Sequence, residues 1–321
     1  MSEKNFPNKN KEEDGIEFIS LDNKEEDSVN TESSSSVETS PEISKESTEE
    51  TISEKKPLPT KELIRYIILC ICIVAFVVSA VILINYFVRQ HKEKQAYKDL
   101  ESSAVSHKDE TTEYVDEESS EYVFNITNEV DFEYLKSINE DVRGWISIPL
   151  LGIEYPFVQG PDNDFYLKHA YNKDEAYGGS IYMEYRLNPD FSDSHVVLYG
   201  HNMTSIDGSM FTHLLKYDDE DFYNENKGEH LIYIYMPNNT VRIYEVFSVT
   251  DALMEKHEQL FYVHLNSVTE YADYASTIEL YDTGIEITED DQILTLFTCQ
   301  YGGNNKERHM VHCKLITVVE N

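Results

Sequence analysis

Apolar and polar positions divide the chain into four stretches of different character. Residues 1–62 are rich in Glu, Ser, Lys and Asn and hold almost no aromatic side chains. Such a segment cannot bury enough apolar surface to offset its chain entropy, so we expect it to be disordered. An uncharged apolar run dominates residues 63–88, and residues 89–130 are charged again. From residue 131 to residue 321 the pattern is that of a folded domain.

The apolar run YIILCICIVAFVVSAVILINYFV, from Tyr66 to Val88, is long enough to cross a lipid bilayer. A helix rises about 1.5 Å per residue, so this run covers a hydrocarbon core of roughly 30 Å. The preceding segment is far too long for a signal peptide, and no small-residue cleavage site follows the run, so we expect an uncleaved anchor. Lysine and arginine flank both ends, and the positive-inside rule therefore does not decide the orientation.

The folded stretch shows short β-type runs separated by turn residues. A helical pattern of Phe132, Leu135 and Ile138 opens it, and another covers residues 267–278. Asn238-Asn239 between two β-type runs is a hairpin signal. Together the runs predict a mainly β fold, one closed or nearly closed β-barrel. They cover residues 145–148, 155–158, 179–183, 195–199, 231–236, 241–249, 292–298 and 309–319.

Charge and cysteine content narrow the function classes. A formal net charge of −35 argues against a nucleic-acid partner, whose phosphates would be repelled. Two of the four cysteines lie in the apolar run, so only Cys299 and Cys313 belong to the folded stretch. A disulfide between these two can form in an oxidising compartment. It would remove both thiols as nucleophiles, so the disulfide and the nucleophile hypotheses exclude each other.

The segment LTLFTCQYGGNNKERHMVHCKLI carries the strongest candidate chemistry. It predicts a strand that ends at Cys299, a Gly-Gly-Asn-Asn loop, and a strand that begins near Arg308. In an antiparallel pair these two residues would meet across a cleft, where a cation favours a thiolate or an oxyanion. Taken alone, a cysteine at a strand end is more often a small buried apolar residue.

A second candidate, His201, follows an apolar strand and a turn glycine in VVLYGHNM. At a strand end an imidazole can face a cleft and carry protons near neutral pH. A loop histidine that caps a turn is the alternative interpretation, and the residue alone does not exclude it.

Metal and cofactor sites have little support. His309, His312 and Cys313 have ligand side chains, but on a strand His309 and Cys313 share one face while His312 points to the other. The remaining histidines lack a compact metal-site spacing, and no dinucleotide or phosphate loop is present in the sequence. We therefore predict no metal ion and no cofactor.

These residues resemble a known family. TLFTC, from Thr295 to Cys299, resembles the T-L-x-T-C active-site motif of sortases. GHNM followed by DGSMFTHLLKY is typical of class B sortases, as are GWISIPLLGIEYPFVQGPDNDFYLKH and GGSIYMEYR. The resemblance covers residues 131–321, whereas the acidic tail has no counterpart in the family pattern.

The resemblance implies a fold and a location. The fold is a closed eight-stranded sortase-type β-barrel with an N-terminal helix, a helical insertion before the last two strands, and one preceding transmembrane helix. Residues 63–88 would be the anchor, 89–130 a charged stalk and 131–321 an extracellular catalytic domain of a Gram-positive bacterium. Residues 1–62 would then be a cytoplasmic tail.

The resemblance also implies a reaction. Cys299 would attack the carbonyl of a threonine in the C-terminal sorting signal of a surface protein, and Arg308 would stabilise the oxyanion or position the substrate. His201 would protonate the leaving amine and later accept a proton from the attacking amine. Thr298 and Asn202 are expected to contact the substrate.

Three functions are compatible with these residues. The first is anchoring of surface proteins to an amine of a peptidoglycan precursor, and the second is pilin polymerisation through a lysine. The third is a catalytically silent scaffold module. The intact set of Cys299, His201 and Arg308 argues against the third, and the lack of a candidate lid segment before the first barrel strand favours the first over the second.

Overall fold

A computed structural model describes residues 59–106, 112–116, 121–204, 207–299 and 307–320. The tail over residues 1–58 and the Gly-Gly-Asn-Asn loop over 302–305 lie outside these ranges, so the predictions made for them stay predictions. The described residues fall into two compact units, one over residues 59–88 and one from Arg89 onward.

The first helix, α1 (Thr60–Ala104), contains the apolar run. Its large apolar side chains between Leu63 and Val88 are exposed, up to 74% for Phe76. Among the described residues this is the one helix long and apolar enough to cross a membrane. An apolar helix without a protein partner on its surface fits a membrane-anchored protein.

The last turns of α1 belong to the folded unit. Tyr97, Leu100 and Ala104 are buried and form part of its apolar core. The Tyr97 hydroxyl donates to the carbonyl of Gly179 at 3.1 Å. The stretch expected to be a charged stalk therefore contains a packed helical segment, and a two-stranded antiparallel sheet follows it, formed by β1 (Thr112–Asp116) and β2 (Glu121–Asn125).

Eight further strands close into a barrel in the order β10-β8-β7-β3-β4-β5-β6-β9. This confirms the predicted mainly β fold. The pairs β4–β5 and β6–β9 are parallel, and the other pairs are antiparallel. The strands are β3 (Val142–Ile148), β4 (Ile153–Val158), β5 (Ile181–Met183), β6 (His195–Tyr199), β7 (Leu231–Tyr235), β8 (Thr240–Leu253), β9 (Ile293–Cys299) and β10 (Glu307–Glu320).

The predicted helices are present, and each begins at a recognisable cap. The helix α2 (Phe132–Ile138) starts after Asp131, whose carboxylate accepts from the backbone N–H of Tyr134 at 2.8 Å. The insertion before the last two strands contains α4 (Val268–Ser276), capped by Ser267. Shorter helices are α3 (Glu220–Glu225) and the 3₁₀ helices Pro149–Leu151, Thr212–Asp218 and Glu258–Phe261.

A buried polar network lies behind the last strands of the barrel. The Thr295 hydroxyl is 2.9 Å from Nε2 of His195 and 3.1 Å from Nδ1 of His312. Nε2 of His312 is 3.0 Å from the hydroxyl of Thr250. Burial lowers the pKa of His195 to about 4 and that of His312 to about 3. Both rings are therefore neutral in the folded chain near neutral pH.

This network predicts a loss of stability in mild acid. Both pKa values lie below the unfolded value of about 6.5, so as pH falls through 6.5 the unfolded state binds protons that the folded state does not. The contribution of the two neutral histidines to the free energy of unfolding is fully present above pH 6.5. Below that pH it falls by up to about 1.4 kcal/mol per pH unit for each histidine, towards pH 4. The free energy of unfolding, measured with denaturant at pH 7, 6 and 5, should show this slope. In His312→Gln the slope should be smaller by the uptake of about one proton on unfolding. Equal stability at pH 7 and pH 5 would contradict the prediction.

Candidate active site

Two parallel strands bring His201 and Cys299 to one edge of the barrel. Strands β6 and β9 pair in parallel, with Tyr199 opposite Phe297. The backbone N–H of Gly200 continues the pairing and donates to the carbonyl of Phe297 at 3.0 Å. His201 and Cys299 each follow their paired residue by two positions, so the extended register sets them level at the carboxyl ends of the two strands.

Arg308 joins the same edge from the other side of β9. Strands β9 and β10 are antiparallel, and their register places Arg308 directly opposite Cys299. On β8 the opposite residue is Ala252. Cys299 and Arg308 thus lie opposite each other on β9 and β10, and His201 follows the end of the neighbouring strand β6 by two residues. The sequence predicted the opposition of Cys299 and Arg308 but not which strand would adjoin β9 on its other side.

The imidazole of His201 is oriented by a backbone carbonyl. Nε2 of His201 lies 2.8 Å from the carbonyl oxygen of Leu167. A carbonyl only accepts, so Nε2 carries the hydrogen, and in the neutral ring Nδ1 is the nitrogen that can take up a proton. Burial lowers the pKa of His201, and the positive charge of Arg308 lowers it further, while the Leu167 carbonyl opposes both effects. The positive charge of Arg308 therefore disfavours protonation of this imidazole.

The guanidinium of Arg308 is half-buried. Its Nη1 donates to the carbonyl of Glu307 at 3.0 Å. A guanidinium has five N–H donors in a planar fork, so this bond to its own strand orients the group and uses one donor. The arrangement places a fixed positive charge next to the Cys299 position, where a thiolate or an oxyanion would be stabilised.

The two residues expected to contact substrate lie beside these positions in different surroundings. Thr298 is only 3% exposed and pairs with His309 on β10. Asn202 is half-buried, and its side-chain oxygen accepts from the backbone N–H of Thr204 at 3.0 Å. The Asn202 side chain therefore caps the loop that follows His201.

A Cys299–Cys313 disulfide is excluded. Cys313 is a free, fully buried thiol opposite Leu294 on β9. Leu294 is separated from the end of β9 by roughly 16 Å at about 3.3 Å per residue, far beyond the reach of a disulfide. Burial also raises the pKa of the Cys313 thiol well above its ordinary value, which keeps it protonated and unreactive.

One group of potential metal ligands occurs among the described residues. Oxygen atoms of Asp218 and Asp251 and a ring nitrogen of His309 lie within 4.8 Å of one another. From the sequence, His309 was considered as a metal ligand together with His312 and Cys313, not with the two aspartates. The two aspartates were missed because they are remote in sequence and carry no motif.

The orienting carbonyl of Leu167 depends on a glycine. Gly179 has a φ of +56°, and a Cβ at that position would lie 2.5 Å from the carbonyl oxygen of Tyr166 and 2.7 Å from that of Leu167. Only a residue without a side chain lets this backbone approach so closely. The Gly-Gly pair at residues 178–179 is visible in the sequence, but its link to His201 is not, because a backbone carbonyl leaves no mark on the residue pattern.

Comparisons of the sequence with protein families and with known proteins point to the same family. The model of the sortase domain matches residues 146–316. Sortase B of Listeria monocytogenes is 33% identical over 201 residues, which are 60% of this chain and 78% of that protein.

Solved structures that are similar to this chain belong to the same family. The crystal structure of Clostridium perfringens sortase B matches with a TM-score of 0.53 and 33% identity, covering 58% of this chain and all of that one. Sortase B of Bacillus anthracis, in complex with AAEK1, matches with a TM-score of 0.56 and 28% identity, covering 72% of this chain and 99% of that one. The chain therefore belongs to the sortase family, and within it to the class B enzymes, which are cysteine transpeptidases.

Proposed function

We propose that this sortase is anchored in the membrane, cleaves a C-terminal sorting signal after threonine, and transfers the protein to a cell-wall amine. The observation that carries the proposal is the register at one barrel edge. His201 follows the end of β6 by two residues, beside the parallel strand β9 that ends at Cys299, and Arg308 is opposite Cys299 on β10. A nucleophile, a proton carrier and a cation are the groups that acyl transfer through a thioester needs.

In the proposed first half-reaction the proton of the Cys299 thiol passes to Nδ1 of His201, the sulfur attacks the threonine carbonyl, and Arg308 stabilises the negative charge that develops on the carbonyl oxygen. The peptide C–N bond then breaks, and His201 gives a proton to the leaving amine. Its Nε2 hydrogen is engaged by the Leu167 carbonyl, so Nδ1 is the nitrogen assigned to this transfer. The product is a thioester between the substrate protein and Cys299.

In the second half-reaction an acceptor amine attacks the thioester, and Nδ1 of His201 takes up the proton that this amine loses. The sulfur of Cys299 leaves as a thiolate while a new peptide bond forms. Nδ1 of His201 then returns the proton to the sulfur, and the site is back in its starting state. An amine of a peptidoglycan precursor is the proposed acceptor. A pilin lysine is the alternative acceptor for the same chemistry.

The proposed location follows from α1. Residues 63–88 would cross the membrane, with the barrel outside the cell and the tail inside. Exposed apolar side chains along this part of the helix support the anchor. The partners would be surface proteins that carry a sorting signal. Protease treatment of intact cells would test the orientation. We expect the protease to cleave the barrel and to leave the tail intact.

A cleavage panel tests the activity. The full-length chain in detergent micelles is incubated with Asn-Pro-x-Thr-type and Leu-Pro-x-Thr-type peptides, with and without an added amine. We expect cleavage after threonine in one of the two classes and, with the amine present, a product that contains it. Cleavage of neither class, or hydrolysis that the amine never diverts, would contradict the proposal.

Gly179→Ala tests the proposed role of His201. The added methyl group would displace the Leu167 carbonyl, which orients the imidazole. Misplacing a catalytic group by about 1 Å can cost on the order of a hundredfold, so we expect kcat for peptide cleavage to fall by about ten- to a hundredfold. Gly284→Ala is the matched control, because its φ of +76° imposes similar strain while its Cβ would meet nothing within 4 Å. Equal activity of both variants would contradict this role of the carbonyl.

A further inference from the structure

His309 is a fully buried histidine next to Arg308 that the proposed reaction does not use. It lies on β10 opposite Thr298 of β9 and Asp251 of β8, and it is 0% exposed. Successive residues of a strand point to opposite faces, so the ring of His309 lies on the other face of β10 from the Arg308 side chain. Any force that fixes this ring also fixes the backbone that carries Arg308.

Both ring nitrogens of His309 face hydrogen-bond acceptors. Nε2 lies 3.1 Å from the carbonyl oxygen of Leu214. Nδ1 lies 3.0 Å from a carboxylate oxygen of Asp251 and 3.1 Å from one of Asp218. Carbonyl and carboxylate oxygens only accept, so both nitrogens must carry a hydrogen. A neutral ring would instead aim a lone pair either at the Leu214 carbonyl oxygen or at the two carboxylates, depending on which nitrogen lost its hydrogen.

The charges around the ring explain how a buried imidazole stays protonated. Burial by itself lowers the pKa of His309, but the hydrogen bonds and charges of Asp218 and Asp251 outweigh burial and raise it to about 9. Arg308 and His312 lie on the same strand, and His312 is neutral because its pKa is lowered to about 3. The β9 residue opposite His309 is Thr298, which does not titrate.

The contacts of His309 join three elements around the candidate site. Leu214 and Asp218 belong to the 3₁₀ helix Thr212–Asp218, which follows the His201 loop directly. That loop is closed by a bond from the N–H of Phe211 to the carbonyl of His201 at 3.1 Å. Asp251 belongs to β8. The His309 ring therefore connects the segment that carries His201 to the start of the strand that carries Arg308.

We propose that His309, as an imidazolium held by Asp218, Asp251 and the Leu214 carbonyl, is a positioning residue that fixes Arg308 relative to His201 and Cys299. We call this arrangement the His309 clamp. The inference rests on the proposed function of those three residues and assigns a part of the reaction geometry to groups outside the cleft.

A proton on Nδ1 of His309 is sufficient to account for the cluster. The two Nδ1–oxygen distances are those of N–H···O hydrogen bonds, and Nε2 makes a third such bond. A proton on Nδ1 faces one oxygen of each of the two carboxylates. A divalent ion bound between Nδ1 and the two carboxylates is the competing occupant, and it would displace that proton.

The first test measures the clamp without any substrate. In the full-length chain in detergent micelles, ¹³C-labelled histidine should show the His309 ring as an imidazolium at pH 7.5, and Asp251→Asn or Asp218→Asn should make it neutral. The same variants should lower the rate at which iodoacetamide alkylates Cys299, because a displaced Arg308 stabilises the thiolate less. One bound zinc or calcium per chain by elemental analysis, or a neutral ring in the wild type, would overturn the proposal.

The second test measures the reaction. Asp251→Asn, Asp218→Asn and His309→Gln should each lower kcat for peptide cleavage by about tenfold with little change in KM, because a misplaced catalytic group acts on the chemical step. Combining His309→Gln with Asp251→Asn should cost no more than either change alone, since both act on one contact. Asp218 is 39% exposed, so its variant is the mildest for folding.

The matched control is Asp291→Asn, which removes a carboxylate paired with Lys314 at 3.0 Å on the same strand, away from Arg308. It should leave kcat unchanged. A wild-type chain that cleaves no sorting peptide contradicts the proposed function, and the alkylation rates still decide on the clamp. A chain that cleaves peptide equally well with Asp251→Asn and Asp218→Asn contradicts the clamp alone.

Discussion

Replacing Cys299 with alanine is expected to lower cleavage of a sorting peptide by at least about a thousandfold, because a thioester needs a thiol and the other thiol of the folded stretch, Cys313, is fully buried. The fold should persist, since Cys299 is the last residue of β9 and the strand is held by backbone pairing with β6 and β10. Chromatography of cleavage products over hours would detect residual turnover, and circular dichroism would verify the fold.

Cys313→Ala is the matched control for that experiment. Its thiol is buried and lies opposite Leu294, well away from the candidate site. The variant should keep wild-type turnover and lose stability on the order of 1 kcal/mol from the vacated volume. If Cys313→Ala lost activity and Cys299→Ala retained it, Cys313 would be the nucleophile and the prediction would be wrong.

Replacing Arg308 with lysine is expected to lower kcat by about a hundredfold. Lysine keeps the positive charge but loses the planar fork of donors, and removing one oxyanion donor typically costs on the order of a hundred- to a thousandfold. The measurement is steady-state kinetics with the best peptide of the panel. Arg242→Lys is the control, because that arginine bonds Gln292 at 3.2 Å near the other end of β8 and should tolerate the exchange.

The variant Arg308→Gln, compared with Arg308→Lys, separates the effect of the positive charge of Arg308 from that of its hydrogen-bond donor geometry. The positive charge of Arg308 is one cause of the lowered pKa of His201. Arg308→Gln should therefore raise that pKa, whereas Arg308→Lys should leave it nearly unchanged. Histidine titration by NMR distinguishes the two. Near-normal turnover of Arg308→Lys would mean that the fork is not needed and that only the charge acts.

The sequence predicted most of the barrel because its strands are short apolar runs between turn residues. The runs over 195–199 and 292–298 match β6 and β9 to within one residue at either end. The hairpin signal at Asn238-Asn239 falls between β7 and β8, where Asn239 has the positive φ that such turns favour. Local composition decides these features, so a single sequence suffices to find them.

Other features depend on contacts between distant parts of the chain. The role of the Leu167 carbonyl, the carboxylates of Asp218 and Asp251, and the packing of Tyr97 against the carbonyl of Gly179 have no local signature. The region that follows the membrane run was expected to be a charged stalk, because Tyr97 and Leu100 are isolated among polar residues. Their burial is visible only once the barrel they pack against has formed.

The most direct measurement of the central claim is the mass of the enzyme during turnover. The full-length chain would be mixed with a sorting peptide, quenched in acid within seconds, digested and analysed by mass spectrometry. We predict an adduct equal to the peptide up to its threonine, attached to Cys299, released by hydroxylamine and absent from Cys299→Ala. Peptide cleavage without such an adduct, or an adduct on another residue, would contradict the assignment of Cys299 as the nucleophile.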